Sequence, residues 1–284
     1  MTTSTFEFHT PTSVAEALEL LSSHGDGAKL LAGGHSLVPI MKLRLAEPEV
    51  LIDLSKIDGL SGVTEADGGL SIGPMTTYYE LMTSDLVNAE APVLAEAAGL
   101  VADVQVRNRG TIGGSVAHAD PAGDLPGVLL ALGARFEATS AGGTRTIESD
   151  DMFVDLLATA LEPNEILTGI FVPATPAAAY EKFANKASRY AIVGVCAVLT
   201  VLGGRCTAAR IGVTGAGPTA TRATGSEAAL VGRSLDADSI KAAASVAADG
   251  IDALSDVHAS DEYRVHLTMV AAKRAIIAAA ERAG

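Results

Sequence analysis

Cysteine is nearly missing from this chain: there are two in 284 residues, Cys196 and Cys206. An iron–sulfur cluster normally takes four thiolates, so any such centre must come from another chain. Both cysteines fall in a stretch that reads as a β-hairpin. There they either face one another or stay as buried free thiols, the form a reducing compartment favours. Basic residues are also short, with 20 Lys and Arg against 34 Asp and Glu and a net charge of −14. That balance excludes nucleic acid as a partner, because a phosphate backbone needs a basic face. No apolar run reaches the roughly 18 residues of a membrane span. The nearest, Ala191 to Leu202, is strand-like and ends at Gly203-Gly204. The opening MTTSTFEFHTPTS has no basic region leading into an apolar core, so no Sec-type signal is expected and a cytoplasmic protein is the default. The remaining composition, 48% apolar and 19% charged, is ordinary for a globular chain long enough for two or three compact units.

Common nucleotide signatures are missing too. No G-x-G-x-x-G links a strand to a helix with an acidic ribose-binding residue downstream, and Gly212-Val-Thr-Gly215-Ala-Gly217 is off that pattern. A lysine-containing triphosphate loop is absent. The six histidines are scattered, and no Ser/His/Asp set or general base stands out. No catalytic and no metal-ligating residue is expected from this chain.

What is present is a pair of glycine segments. Arg107 to Pro126 reads RNRGTIGGSVAHADPAGDLP, and within it Thr111 to Ser115 (TIGGS) promises a turn of free amide donors suited to phosphate oxygens. Alone, such a segment is as well read as a plain turn. A second one, Ala32 to Ser36 (AGGHS), lies far upstream with the same chemistry. Two of them suggest one ligand with two phosphates, or one diphosphate gripped from two sides.

The chain around them alternates. Ser13 with Glu16 forms a capping-box pattern ahead of Val14, Ala17, Leu18 and Leu21 at helical spacing. A buried strand over Ala28 to Ala32 runs straight into Gly33-Gly34, the place where α/β folds put ligand contacts. A helix over Leu37 to Leu45 and a strand over Val50 to Leu54 complete this unit. Further on come a strand at Leu70 to Ile72, a helix capped by Thr77 and Glu80, and a helix from Pro92 to Leu100. A hairpin follows over Arg135 to Ser140 and Thr144 to Ile147, then a strand from Glu165 to Val172. Composition shifts at Ala174-Thr175-Pro176. Strands over Ala179 to Ala184, Ile192 to Leu202 and Arg205 to Thr214 then precede alanine-rich helices at Ser226 to Val231, Asp238 to Ala248 and Asp261 to Ala283. The fold class is α+β, an α/β first part and an α+β last part.

At the two glycine segments the sequence resembles a known family. AGGHSLVPIMKLRL (Ala32 to Leu45) together with RNRGTIGGSVAHADPAGDLP looks like the FAD-binding medium subunit of bacterial molybdenum hydroxylases. The pattern is nearest to aerobic carbon monoxide dehydrogenase, with xanthine dehydrogenase, nicotine and quinoline hydroxylase flavin units as equivalents. LIDLSKIDGL (Leu51 to Leu60), IGPMTTYYEL (Ile72 to Leu81), NEILTGIFVP (Asn164 to Pro173), FANKASRYAIVG (Phe183 to Gly194) and EYRVHL (Glu262 to Leu267) extend the likeness over the whole chain.

The resemblance implies the two-subdomain FAD cradle of the vanillyl-alcohol oxidase (PCMH-type) superfamily, at 1–57 and 58–174, followed by an α+β C-terminal flavoprotein domain at 175–284. Ala32, Gly33, Gly34, His35, Ser36 and Leu37, with Thr111, Ile112, Gly113, Gly114 and Ser115, would grip the FAD diphosphate. The four glycines would be needed because a Cβ would hold the phosphates too far away. Ala117 and His118 would lie beside the cofactor, Asp124 would hydrogen-bond its ribityl or adenosine part, and Leu167 would lie near a ring. Lys186 would approach the adenosine and Tyr190 the isoalloxazine. Arg107 and Arg109 either balance phosphate charge or are plain solvated side chains. No histidine or cysteine pattern for a covalent link is evident, so FAD is expected to be non-covalent.

By the same resemblance, molybdopterin and [2Fe-2S] clusters would sit only in a large molybdenum-cofactor subunit and a small iron–sulfur subunit. The heterotrimer would pair into a dimer and pass electrons to an external acceptor, a quinone, NAD or oxygen. It would be cytoplasmic or peripheral at the inner membrane face. The readings weighed against this are the flavin subunit of an N-heterocycle hydroxylase, a stand-alone flavin oxidoreductase with its own substrate site, and a scaffold that has lost flavin.

Overall fold

Ser13 starts the first helix, its hydroxyl accepting the amide of Glu16. That helix, α1 (Val14–His24), turns Ala17 and Leu21 inward over three short parallel strands: β1 (Glu7–His9), β2 (Ala28–Leu31) and β3 (Val50–Asp53), in the order β1-β3-β2. β1 has no counterpart in the sequence reading, since three residues carry no detectable period. Strand β2 runs into Gly33–Ser36 and then into α2 (Leu37–Lys42), shorter than the helix expected to reach Leu45. The computed structural model describes residues 2–283.

The middle of the chain builds an antiparallel sheet of five strands in the order β4-β5-β10-β6-β7. They are β4 (Val63–Ala66), β5 (Gly69–Ile72), β6 (Arg135–Ser140), β7 (Gly143–Glu148) and β10 (Ile166–Pro173), with a small hairpin of β8 (Phe153–Asp155) and β9 (Ala158–Thr159) beside them. Between β5 and β6 run α3 (Tyr78–Thr83), α4 (Asp85–Glu90), α5 (Pro92–Leu100), α6 (Val104–Arg107), α7 (Ile112–His118) and α8 (Asp124–Leu132), while α9 (Ser149–Met152) follows β7. Thr77 and Glu80 form the full reciprocal capping box at the start of α3. Helix α8 is buried along its whole length. The uniform apolar run LPGVLLAL has no face to read, so its sequence gives no helical period. Leu70, Ile72, Leu94, Leu125, Leu129 and Phe136 centre this core, each fully buried and worth about 2 kcal/mol by area.

The last third pairs β11 (Ala178–Ala184), β12 (Ala191–Leu202), β13 (Arg205–Thr214) and β14 (Thr221–Arg222) into an antiparallel sheet, backed by α10 (Thr224–Leu230), α11 (Ala237–Ser245) and the long α12 (Asp261–Ala283). Gly203 and Gly204 turn the β12–β13 hairpin with φ of 58° and 73°, as a two-residue turn requires. The other side of this sheet receives α8. A Cβ on Gly212 would overlap the Gly127 carbonyl, so strand and helix meet backbone to backbone. The architecture is the mixed α+β fold expected. The two cysteines do not face one another: Cys196 stands opposite Tyr180 and Gly212, Cys206 opposite Val201, and both are free and buried.

Candidate functional site

The two glycine segments meet. Gly33 lies against the Arg109–Gly110 backbone, and a Cβ on it would overlap the Arg109 carbonyl oxygen. Around this contact opens a cleft of about 550 Å³, within the usual range for a cofactor site. Its walls include Ala32, Gly33, Gly34, His35, Ser36 and Leu37 from the β2–α2 connection, and Thr111, Gly113, Gly114, Ser115, Ala117 and His118 from α7 and its cap. Asp124, Leu167 and Tyr190 line it as well. Two expected residues do not: Ile112 is wholly buried in the core beneath α7, and Lys186 is exposed on the β11–β12 connection.

The segments differ in what they offer. The amides of Gly33, Gly34, His35 and Ser36 have no acceptor among the described residues, and His35 folds its Nδ1 back to the Gly33 carbonyl oxygen at 2.9 Å. Those four amides are free donors. Thr111 to Ser115 is not the open turn expected but the cap and first turn of α7, and the amides of Ile112 to Ser115 are spent. Ile112 donates to the Thr76 carbonyl at 3.0 Å, Gly113 to that of Pro74 at 2.8 Å, Gly114 to the Thr111 hydroxyl at 3.0 Å and Ser115 to the Thr111 carbonyl at 3.0 Å. What this segment shows the cleft is hydroxyls and a side-chain-free wall.

The glycines are also explained differently from the sequence reading. A Cβ on Gly110 would strike the Tyr78 ring and one on Gly113 would strike Pro74, so both are small because the protein packs against itself there. Gly34 is glycine for conformation, with φ of 72°.

Other walls come from residues the sequence did not single out, among them Pro74, Met75, Tyr78, Val106 and Leu161. Tyr78 carried one usable signal, its place in the Thr77–Glu80 capping box ahead of a helix. Burial pushes its hydroxyl up to about 12, against an opposing hydrogen bond with Ser115, so it stays a neutral donor. Burial and the charge of Asp120 raise the Tyr190 hydroxyl. Tyr190 is half exposed, on a connection where Arg189 takes φ of 60°. Arg107 turns away and donates to the carbonyls of Val101 and Ala102, so it is structural rather than solvated. Asp120 accepts the Ala122 amide, and His118 Nε2 lies 4.0 Å from it. Among the described residues no cluster of three His, Cys, Asp or Glu could hold a metal ion.

Residues 4–175 match the family model described as the FAD binding domain in molybdopterin dehydrogenase, and residues 178–279 match the CO dehydrogenase flavoprotein C-terminal domain. The chain belongs to this FAD-binding family. The carbon monoxide dehydrogenase medium chain of Hydrogenophaga pseudoflava is 42% identical over 96% of each chain. The nicotine 6-hydroxylase medium subunit of Paenarthrobacter nicotinovorans is 39% identical over 97% of each. A solved carbon monoxide dehydrogenase from Hydrogenophaga pseudoflava superposes with a TM-score of 0.97 at 42% identity, covering all of both chains. Membership makes this chain a flavoprotein subunit of the oxidoreductase class. The cleft suits the family's cofactor: four unpaired amides beside three hydroxyls answer a diphosphate, and Val106, Leu161 and Leu167 offer apolar walls to rings. No helix among the described residues is long and apolar enough to cross a membrane.

Proposed function

We propose that this chain is the FAD-carrying electron-transfer subunit of a molybdenum-containing dehydrogenase of the carbon monoxide dehydrogenase type. The observation that carries this reading is the cleft where two remote glycine segments converge, one with four free amides. FAD, when bound, would take electrons from the [2Fe-2S] clusters of a small partner subunit and give them to an external acceptor such as a quinone, NAD or oxygen. The cofactor carries the chemistry, and the protein sets its position and surroundings.

The chain's own residues divide that work. Gly33 to Ser36 would donate their amides to the diphosphate, with the hydroxyls of Ser36, Thr111 and Ser115 around it. Ala117, His118 and Leu167 would wall the cofactor, and Asp124 would accept from one of its sugar or ribityl hydroxyls. Tyr190, half exposed at the cleft wall, would limit water there. The cofactor is read as held non-covalently, its retention resting on these contacts.

The large molybdenum subunit would select the substrate. The 39% identity to the nicotine 6-hydroxylase medium subunit supports an N-heterocycle hydroxylase as the second reading. A dimer of heterotrimers in the cytoplasm, or peripheral at the inner membrane face, is the assembly proposed, and two reduced buried thiols suit that compartment.

The test is to express the chain alone and with its genomic neighbours, record absorption, and precipitate with acid. Flavin bands in the assembled protein, with the chromophore released into the supernatant, support the reading. A complex that assembles yet holds no flavin after FAD is added overturns it.

A further inference from the structure

Asp124 opens α8 at the cleft wall, yet its carboxylate is held from the far side by the C-terminal sheet. The Tyr180 hydroxyl donates to Oδ1 at 2.6 Å, and the Lys182 ammonium donates to Oδ2 at 2.8 Å and to the Leu100 carbonyl at 3.0 Å. Side-chain exposure is 4% for Lys182 and 5% for Asp124, the one ion pair among the described residues with both partners so buried. Room is kept for it: a Cβ on Gly194 would overlap the Tyr180 hydroxyl oxygen. A buried ion pair pays heavy desolvation and is poor evidence of stability by itself, so another reason for it is wanted. Position supplies one. Each carboxylate oxygen accepts two hydrogen bonds, so one site on each stays open while Lys182 and Tyr180 fill the others.

We infer that Lys182 is a positioning residue that, with Tyr180, holds Asp124 as an ionised acceptor at the cleft wall for a hydroxyl of the bound flavin nucleotide. This rests on the FAD reading above. Burial pushes the Asp124 carboxyl above its ordinary value, and the Lys182 charge opposes that rise. The surrounding groups give no substitute for Lys182. Tyr180 and Tyr78 are raised by burial and remain neutral, Tyr190 is raised as well, and Asp120 adds negative charge. His118 sits beside Asp120 rather than Asp124. Without the ammonium, Asp124 takes up a proton, and a charged acceptor becomes a weaker neutral one.

The experiment uses the assembled complex stripped of flavin, with FAD returned by titration and binding followed by flavin fluorescence at a series of pH values. The original complex binds with affinity nearly level from about pH 9 to about pH 6, whereas Lys182→Met weakens progressively over that window, where buried carboxylic acids titrate. The loss at the acid end is about tenfold or more, the worth of a hydrogen bond to a charged group. Lys182→Arg restores most of the level profile. Asp124→Asn binds weakly but without pH dependence, with or without Lys182→Met. Thermal unfolding confirms that each variant is folded, and the double variant Asp124→Asn/Lys182→Met supplies a folded comparison if the single one is not. A loss in Lys182→Met that is the same at every pH, or no loss, overturns the inference while leaving the FAD reading standing. If the original complex takes no FAD, it is that reading which fails.

Discussion

The carbonyl oxygen of Arg109 fills the space a Cβ on Gly33 would take, so the β2–α2 connection and the start of α7 are in backbone contact. Alanine at 33 must push two main chains apart at the base of the cleft. The expected cost is about 1–3 kcal/mol of overpacking, with most of the flavin lost from the complex. Gly34→Ala is milder. Its positive φ costs about 1 kcal/mol, and its Cβ would meet only the side chains of Leu31 and Val38, which can give. Thermal unfolding and flavin content of the two variants measure this, and a Gly34→Ala loss larger than that of Gly33→Ala contradicts the packing account.

Local patterns made most of the elements legible. Thr77 signalled its helix through a capping box that forms in full, and Ser13 through one that forms by half, since the Glu16 carboxylate takes the Thr12 amide rather than that of Ser13. Gly203-Gly204 signalled its hairpin because only such residues turn there at low cost. What failed was of two kinds. Ile112-Gly113-Gly114 is a poor helix start by propensity, and it is helical because Thr111 caps it and Pro74 leaves room for no side chain. The Asp124 support could not be seen at all: Tyr180 and Lys182 reach it across 56 and 58 residues, and nothing local marks that meeting. Pairing of the two glycine segments was legible from their shared chemistry as well as from the resemblance, but neither gave the unequal state of their amides.

The thiols test the sheet register. Cys196 is raised far above its ordinary value by burial, and Cys206 is raised as well for the same reason. The thiolate is the reactive form, so neither should be alkylated in the native chain near neutral pH, and both should be after denaturation. Mass spectrometry before and after denaturation reads this directly. A mass corresponding to an internal disulfide would contradict strands that set Cys196 against Gly212 and Cys206 against Val201.

Glu165 gives a pH dependence of known sign. Arg145 donates to both its oxygens, at 2.6 and 2.8 Å, and the Glu162 amide adds a third bond at 2.7 Å, holding the carboxyl below its ordinary 4.5. A carboxyl lowered by folding contributes stability that is present above its unfolded value and lost as pH falls through the folded one. Arg145→Gln should therefore be less stable than the original at neutral pH, and the gap should close in acid. Denaturant unfolding of both proteins along a pH series measures it. The opposite tendency of Asp124 is common to both and cancels. A gap that persists unchanged into strong acid would remove the pair from the account.

Arg264 joins three segments of the C-terminal region. One guanidinium nitrogen donates to the carbonyls of Ile192 and Gly215, each at 2.6 Å, and another to Asp256 at 2.6 Å, with the residue 4% exposed. Methionine there would fill similar volume but leave two inward carbonyls without donors. That desolvation costs about 3 kcal/mol in total, several degrees in the unfolding midpoint for a domain of this size. Asp256 is 44% exposed and keeps the amides of His258 and Ala259. Asp256→Asn should therefore cost under about 1 kcal/mol, as half-exposed ion pairs do. The two variants separate carbonyl satisfaction from charge pairing. Equal losses would mean that the ion pair, rather than the two carbonyls, holds the segments together.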